Sequence, residues 1–172
     1  MKIKKYKYIA STNALAKELK HEPWLVVLAE KQSGGYGRKK DYWFSPKGGL
    51  YFSIILPKSA IEDLQTLTIL AAFITAKAIK DNFKLEPFIK LPNDVYINRK
   101  KVAGILTETV VGKDVRFSIM GIGLNTNIDK FPKELENTAT SLKMELGKEI
   151  DNNKILKQIV ENIKKQLRII SK

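Results

Sequence analysis

From Phe88 to Leu124 the sequence runs through short β-forming segments broken by turn signals, and no other stretch restricts the fold as much. Phe88–Leu91 reads as a short strand, closed by Pro92-Asn93-Asp94. Val95–Ile97 and Val102–Thr107 flank Asn98-Arg99-Lys100-Lys101, which has the composition of a hairpin turn. Gly112-Lys113-Asp114 predicts another turn, and Val115–Leu124 another strand. Connections this short join antiparallel strands, because parallel ones need a crossover of about a dozen residues or more. A helix is predicted from about Ile61 to Asn82, where Leu64, Leu67, Leu70, Ala71, Ile74 and Ala78 recur at helical spacing. A closing helix carries Ile155, Ile159, Ile163 and Leu167 in one stripe, widened by Leu156, Val160 and Ile170. Near the N-terminus, Asn13–Lys20 reads as a short helix with Ser11 or Thr12 as N-cap. Leu25–Ala29 and Leu50–Leu56 read as strands, Gln32–Asp41 as a loop, and Asn125–Thr140 as irregular. Hairpin strands with segregated helices predict an α+β domain: a mixed, largely antiparallel sheet flanked by helices. No repeat or linker divides the 172 residues, so one domain is expected.

Composition removes several chemistries. There is no cysteine, so disulfides, thiolate nucleophiles and cysteine-based zinc sites are excluded. The one histidine, His21, stands in Lys20-His21-Glu22-Pro23, where a loop or helix end is expected rather than a catalytic triad. Any metal site would be built from carboxylates, which suits magnesium better than zinc. No segment reads as a membrane span, and Met1-Lys2-Ile3-Lys4-Lys5-Tyr6 lacks the apolar run of a signal peptide, so a cytoplasmic location is expected. The net charge of +13 would attract polyanions, but the 31 basic residues are spread along the chain without a dense block. No G-x-G-x-x-G opens a helix after a strand and no P-loop motif is present.

Four constellations could carry chemistry. Gly34-Gly35-Tyr36-Gly37-Arg38-Lys39-Lys40 is either an anion cradle, with backbone N–H groups free to converge, or a surface loop with ordinary charges. In Phe88-Ile89-Lys90-Leu91 a lysine sits among apolar residues; it either meets a ligand phosphate or an acidic partner, or faces out from a half-buried strand. Gly104, inside Lys101-Val102-Ala103-Gly104-Ile105-Leu106-Thr107-Glu108, marks close approach of a ligand or a bulge. In Gly121-Ile122-Gly123-Leu124-Asn125, alternate glycines clear one face of a strand, for a planar ring or for a packed helix.

Taken in order and spacing, these segments resemble the catalytic domain of the biotin–protein ligases. The family's loop reads approximately G-R-G-R-x-G-R, followed by W-x-S-P; here it stands as Gly35-Tyr36-Gly37-Arg38-Lys39-Lys40-Asp41, then Trp43-Phe44-Ser45-Pro46. The family's K-W-P-N-D stands as Lys90-Leu91-Pro92-Asn93-Asp94. K-x-[AG]-G-I-L-x-E is intact from Lys101 to Glu108, and G-x-G-x-N from Gly121 to Asn125. Ser11-Thr12-Asn13, Gln32 and Thr140-Ser141-Leu142 also match. Nearly the whole chain is covered. The loop departs from the pattern at Tyr36, Lys40 and Asp41, where the family has arginine, glycine and arginine.

The resemblance implies the class II aminoacyl-tRNA synthetase/biotin ligase catalytic fold, without the family's N-terminal DNA-binding domain or its small C-terminal β domain. It implies biotin and ATP as substrates, Mg²⁺, a biotinyl-AMP intermediate, and transfer to a lysine of a biotin carboxyl carrier protein. It implies no specific DNA binding, and a homodimer is compatible with it. Lys90 and Arg38 are then the catalytic cations. Ser11, Thr12, Asn13, Gln32, Gly35, Tyr36, Gly37, Arg38, Lys90 and Gly104 would hold biotin. Arg38, Trp43, Asn93, Lys101, Gly123 and Asn125 would hold ATP and the adenylate, and Asp94 or Glu108 the magnesium. Three other readings compete: a lipoate–protein ligase, for which the polar set Ser11-Thr12-Asn13 with Gln32 would be wasted; a ligase that binds biotin but no longer transfers it; and a basic nucleic-acid-binding module, which predicts salt-dependent binding without sequence preference.

Overall fold

Asn98 and Arg99 form a two-residue turn with φ of 49° and 65°. Left-handed backbone at both positions lets so short a hairpin follow the twist of its strands. It joins β5 (Asp94–Ile97) to β6 (Lys100–Val111), with Ile97 opposite Lys100. The turn is thus tighter than the predicted Asn98–Lys101, and Lys100 and Lys101 belong to the strand. The computed structural model describes residues 1–58, 63–111 and 116–170. The predicted turn at Gly112–Asp114, the strand start at Val115 and the helix start at Ile61 lie outside them.

β6 is 12 residues long, well beyond the expected Val102–Thr107. It pairs with β7 (Arg116–Leu124) from Ala103↔Leu124 to Val111↔Arg116. β7 also pairs with β3 (Leu50–Ile55), a strand buried along its full length. β3 pairs with β2 (Val26–Ala29), and β2 runs parallel to β1 (Ile3–Tyr6). β4 (Phe88–Lys90) forms the far edge, in the order β1-β2-β3-β7-β6-β5-β4. The sheet is mixed and largely antiparallel, as predicted, and its parallel pair comes from β1, which the sequence did not reveal. Lys4 and Lys5 break its apolar pattern and are exposed. Lysines on an edge strand discourage pairing with other chains.

Alternation gives the sheet two different faces. On one face Phe52, Ile54, Ile105, Met120 and Ile122 pack under α2 (Leu64–Phe83) and α4 (Asn152–Ile170). Asp63 caps α2 by accepting from the Gln65 and Thr66 amides. The α4 stripe Ile155, Ile159, Ile163 and Leu167 is buried as its spacing predicts, and Asn82 ties the two helices by donating to Gln158 at 2.6 Å. On the opposite face, α1 (Thr12–Glu18) covers only one end, packing Ala16 onto Val27, Ile55, Phe117 and Ile119. Its N-cap is Ser11, whose Oγ accepts from the Ala14 amide. Between α1 and the β5–β6 hairpin this face is left uncovered by helix. Residues 125–141 carry no helix or strand, and Ser141 then caps a short unpredicted helix, α3 (Leu142–Leu146).

Candidate active site

The uncovered part of the sheet is a cavity of about 360 Å³, within the range of small-molecule sites. Its floor is made by glycines. Gly104 and Gly123 face each other across β6 and β7, with Gly121 two residues along. A Cβ on Gly123 would run into the Trp43 indole, and one on Gly104 would lie 2.9 Å from Trp43 Cζ3. A Cβ on Gly121 would run into the Asn13 amide. The cleared strand face therefore takes both partners that its glycines allow: a planar ring, which is the protein's own Trp43, and a residue of a helix. The Trp43 indole N–H is buried and without a partner among the described residues.

One end of the cavity is a closed hydrogen-bond network. Gln32 Oε1 accepts from the Thr12 amide at 2.7 Å, and Gln32 Nε2 donates to Ser45 Oγ at 2.9 Å. Asn13 Nδ2 donates to Glu108 Oε2 at 2.8 Å and to the Leu106 carbonyl at 3.3 Å. Those acceptors fix which way its amide points, so Asn13 Oδ1 must accept, and it does so from Ser53 Oγ at 2.5 Å. Ser53 has one hydroxyl hydrogen. Its other contact, with Thr12 Oγ1 at 2.8 Å, is then made by the Thr12 hydroxyl donating. Spare acceptor capacity remains on Thr12 Oγ1 and Asn13 Oδ1, and spare donors on the Ser11 hydroxyl and on Gln32 Nε2.

The glycine loop forms the lid. The Gly37 amide donates to the Asp41 carbonyl at 2.8 Å, the Trp43 amide to Gly35 at 2.9 Å, and Tyr36 bridges Tyr42. Gly35 lies behind the cavity wall, where a Cβ would stand 2.6 Å from Ser45 Oγ and 2.9 Å from Gln32 Nε2. The tip is a 3-10 turn, Arg38–Lys40, with Lys39 and Lys40 at φ of 55° and 62°. Exposed Arg38 reaches over the mouth, its Nη1 3.5 Å from Asn93 Oδ1. At the far end Lys101 Nζ bonds Asp94 Oδ1 at 2.7 Å and lies 5.2 Å from the Trp43 ring centroid.

A sequence profile of the biotin/lipoate A/B protein ligase family matches residues 6–125. The chain belongs to this family. The bifunctional ligase/repressor BirA of Bacillus spizizenii is 39% identical over 168 residues, covering 93% of this chain and 52% of that protein. BirA of Escherichia coli is 29% identical over 152 residues, covering 84% and 46%. The chain thus spans about half the length of these curated relatives. Biotin protein ligase from Aquifex aeolicus, solved in complex with biotin and ATP, superposes with a TM-score of 0.89 at 32% identity, over 97% of this chain and 70% of that one. The α+β architecture is that of the biotin protein ligase catalytic domain.

Within this family framework, most predicted site residues converge. Ser11, Thr12, Asn13, Gln32, Tyr36, Gly37, Arg38, Trp43, Asn93, Asp94, Lys101, Gly104 and Gly123 all line the cavity. Lys90 does not. Its apolar neighbours Phe88 and Leu91 are 47% and 67% exposed, so the edge strand β4 buries no ammonium. Lys90 is exposed, with its Nζ 5.9 Å from the Tyr96 ring centroid. Asn125 is buried outside the cavity lining, its Nδ2 donating to the Thr140 carbonyl at 3.0 Å and its Oδ1 without a partner among the described residues.

The two carboxylates offered as metal ligands stand apart. Asp94 faces Gly104, and Glu108 is four residues further along β6, about 13 Å at strand rise. Lys101 occupies Asp94, and Lys17 occupies Glu108 at 2.6 Å. Among the described residues no group of three acidic or histidine side chains could hold a metal. Glu108 Oε2 also accepts from the Tyr36 hydroxyl at 3.0 Å. Burial works against the Lys17 ammonium, but its hydrogen bonds to Glu108 and Tyr36 and the Glu108 charge outweigh it and hold its pKa above the usual lysine value. Burial, with the Glu108 charge adding to it, raises the Tyr36 phenol. Lys17, Ser45 and Ser53 were not foreseen as site residues. Ser53 had a signal, a hydroxyl in the strand Leu50–Ile55; Lys17 had none, since helical lysines ordinarily face solvent.

Proposed function

We propose that the chain is the catalytic unit of a biotin–protein ligase, forming biotinyl-AMP from biotin and ATP and passing biotin to a lysine of a biotin carboxyl carrier protein. The observation that carries this is the leftover hydrogen-bonding capacity at Ser11, Thr12, Asn13 and Gln32. A cyclic urea has two N–H donors and one carbonyl acceptor. Acceptors on Thr12 and Asn13 suit the first, and donors on Ser11 and Gln32 suit the second. A lipoate dithiolane would leave these buried groups unpaired, at a cost of about 1–3 kcal/mol each.

In this mechanism a biotin carboxylate oxygen attacks the α-phosphorus of ATP and pyrophosphate leaves. The carrier's lysine amine then attacks the acyl carbon, AMP leaves, and the amine gives up a proton. The substrates supply both nucleophiles, which suits a site without cysteine or histidine. The protein contributes position and charge. Arg38 at the mouth and Lys101 inside face the phosphates, with Trp43 and Asn93 beside the nucleotide. Lys90, outside the cavity lining but opposite Asp94 in the β4–β5 register, would be the outer cation. Removing a contact that forms only in the transition state costs about 2.7–4 kcal/mol. Asp94 and Glu108 are each paired with a lysine, which favours magnesium arriving on the phosphates of ATP, with one of these carboxylates as at most a single protein ligand. No described helix is long and apolar enough to cross a membrane, in keeping with a cytoplasmic enzyme.

The test is pyrophosphate–ATP exchange with biotin, with lipoate and with neither, repeated in Lys101→Ala and Lys90→Ala. Exchange that requires biotin and falls about 100-fold or more in Lys101→Ala is expected. Exchange driven equally by lipoate would refute the assignment of the polar end.

A further inference from the structure

Glu108 has no part in the adenylation chemistry outlined above, yet its carboxylate is fully engaged. Oε1 receives the Lys17 ammonium at 2.6 Å. Oε2 accepts from Asn13 Nδ2 at 2.8 Å and from the Tyr36 hydroxyl at 3.0 Å. Lys17 Nζ also lies 3.3 Å from the Tyr36 oxygen and 5.7 Å from its ring centroid. These groups come from separate pieces of the fold. Asn13 and Lys17 share one face of α1, Glu108 belongs to β6, and Tyr36 belongs to the glycine loop. Tyr36 stands where the family pattern has a loop arginine. The phenol supplies a hydrogen bond without a charge, and Lys17 supplies the charge from outside the loop.

We propose that Lys17, Glu108 and Tyr36 form a latch that fastens the glycine loop to α1 and β6 and holds it over the ring-binding end of the cavity before any ligand arrives. These are positioning residues. They hold the lid and, through the shared Glu108 oxygen, the Asn13 amide behind it. The contacts of the latch are all within the protein; its effect on biotin rests on the biotin ligase assignment. A loop closed in advance loses less conformational freedom on binding and releases its ligand more slowly.

The loop tip offers trypsin three adjacent sites, Arg38, Lys39 and Lys40, so its opening can be read without any ligand or activity. The variants are Tyr36→Phe, which removes one hydroxyl, Lys17→Met, the double variant, and Lys17→Arg. Cleavage after residues 38–40, identified by fragment mass, is expected to quicken roughly ten-fold in each single variant. The double variant should be less than additive, because the groups share one carboxylate, and Lys17→Arg should restore slow cleavage. Biotin should dissociate about ten-fold faster from Tyr36→Phe, with the exchange kcat changed less than KM. Thermal melts and cleavage elsewhere in the chain separate loop opening from general unfolding. Wild-type cleavage rates in both single variants would overturn the latch. Faster cleavage in variants whose loop biotin neither protects nor engages would leave the latch standing and overturn the biotin assignment instead.

Discussion

Lys40 holds a backbone conformation that favours glycine. Its φ is 62°, and it follows Lys39 at 55°. Left-handed backbone costs an ordinary L residue about 1–2 kcal/mol. Glycine avoids that cost, but it loses about 0.5–1 kcal/mol more conformational freedom on folding. The Lys40 side chain is exposed, so little packing is lost with it. Lys40→Gly should therefore stabilise the fold by about 0.5–1 kcal/mol, or about 1–4 °C in Tm for a domain of this size. A calibrator exists elsewhere in the molecule. Lys84 ends α2 at φ of 56°, its amide donating to the Lys80 carbonyl, away from the cavity lining. Lys84→Gly should gain a similar amount. Reversible thermal unfolding of wild type and both variants, without ligand, is the assay. A gain in Lys84→Gly with none, or a loss, in Lys40→Gly would refute the left-handed loop tip. Equal gains would mean that this chain carries strain at the position where its family carries glycine.

Gly121→Ala should weaken biotin binding at least about ten-fold and cost about 1–3 kcal/mol of stability, because the new Cβ runs into the Asn13 amide; unchanged affinity by calorimetry would remove Asn13 from the ring end of the site. Alkaline pH should release the latch. The Lys17 and Tyr36 pKa values are both raised in the folded protein, so their contribution is complete below the unfolded values near 10 and is lost as pH rises through the folded ones. Urea unfolding at about pH 9 and about pH 11 should show a loss in wild type that is smaller in the Lys17→Met, Tyr36→Phe double variant; equal losses would sink that account.

Periodicity and turn chemistry exposed most of the architecture before any coordinates. The stripe Ile155, Ile159, Ile163, Leu167 has one plausible face, and Asn98-Arg99 could hardly lie within a strand. β1 escaped because an edge strand needs few apolar residues, and Lys4 and Lys5 conceal the two that it has. The extra length of β6 escaped because residues past Thr107 are held by β7, a partner that local sequence does not display. At the site, the glycines at 104, 121 and 123 announced a cleared face but not its occupants. Lys90 faces out, one of the two readings its neighbours allowed, because the edge strand leaves Phe88 and Leu91 exposed and turns only Ile89 toward the core. For Glu108 the sequence displayed a carboxylate in a binding motif but not the lysine that pairs with it, 91 positions away in the chain.

The place of β3 in the sheet also bears on how the protein is made. All six of its residues are buried, and its neighbours are β2, already synthesised, and β7, which begins at Arg116. While residues 56–115 emerge from the ribosome, one edge of Leu50–Ile55 has no strand to pair with. Such an apolar, unpaired edge is a template for association between unfinished chains. The ring end of the cavity waits on the same event, because Ser53 and Asn13 meet Glu108 and Gly121 only after the last strand is in place. A nascent chain would therefore complete this cavity late and abruptly, at the moment an aggregation-prone edge is covered.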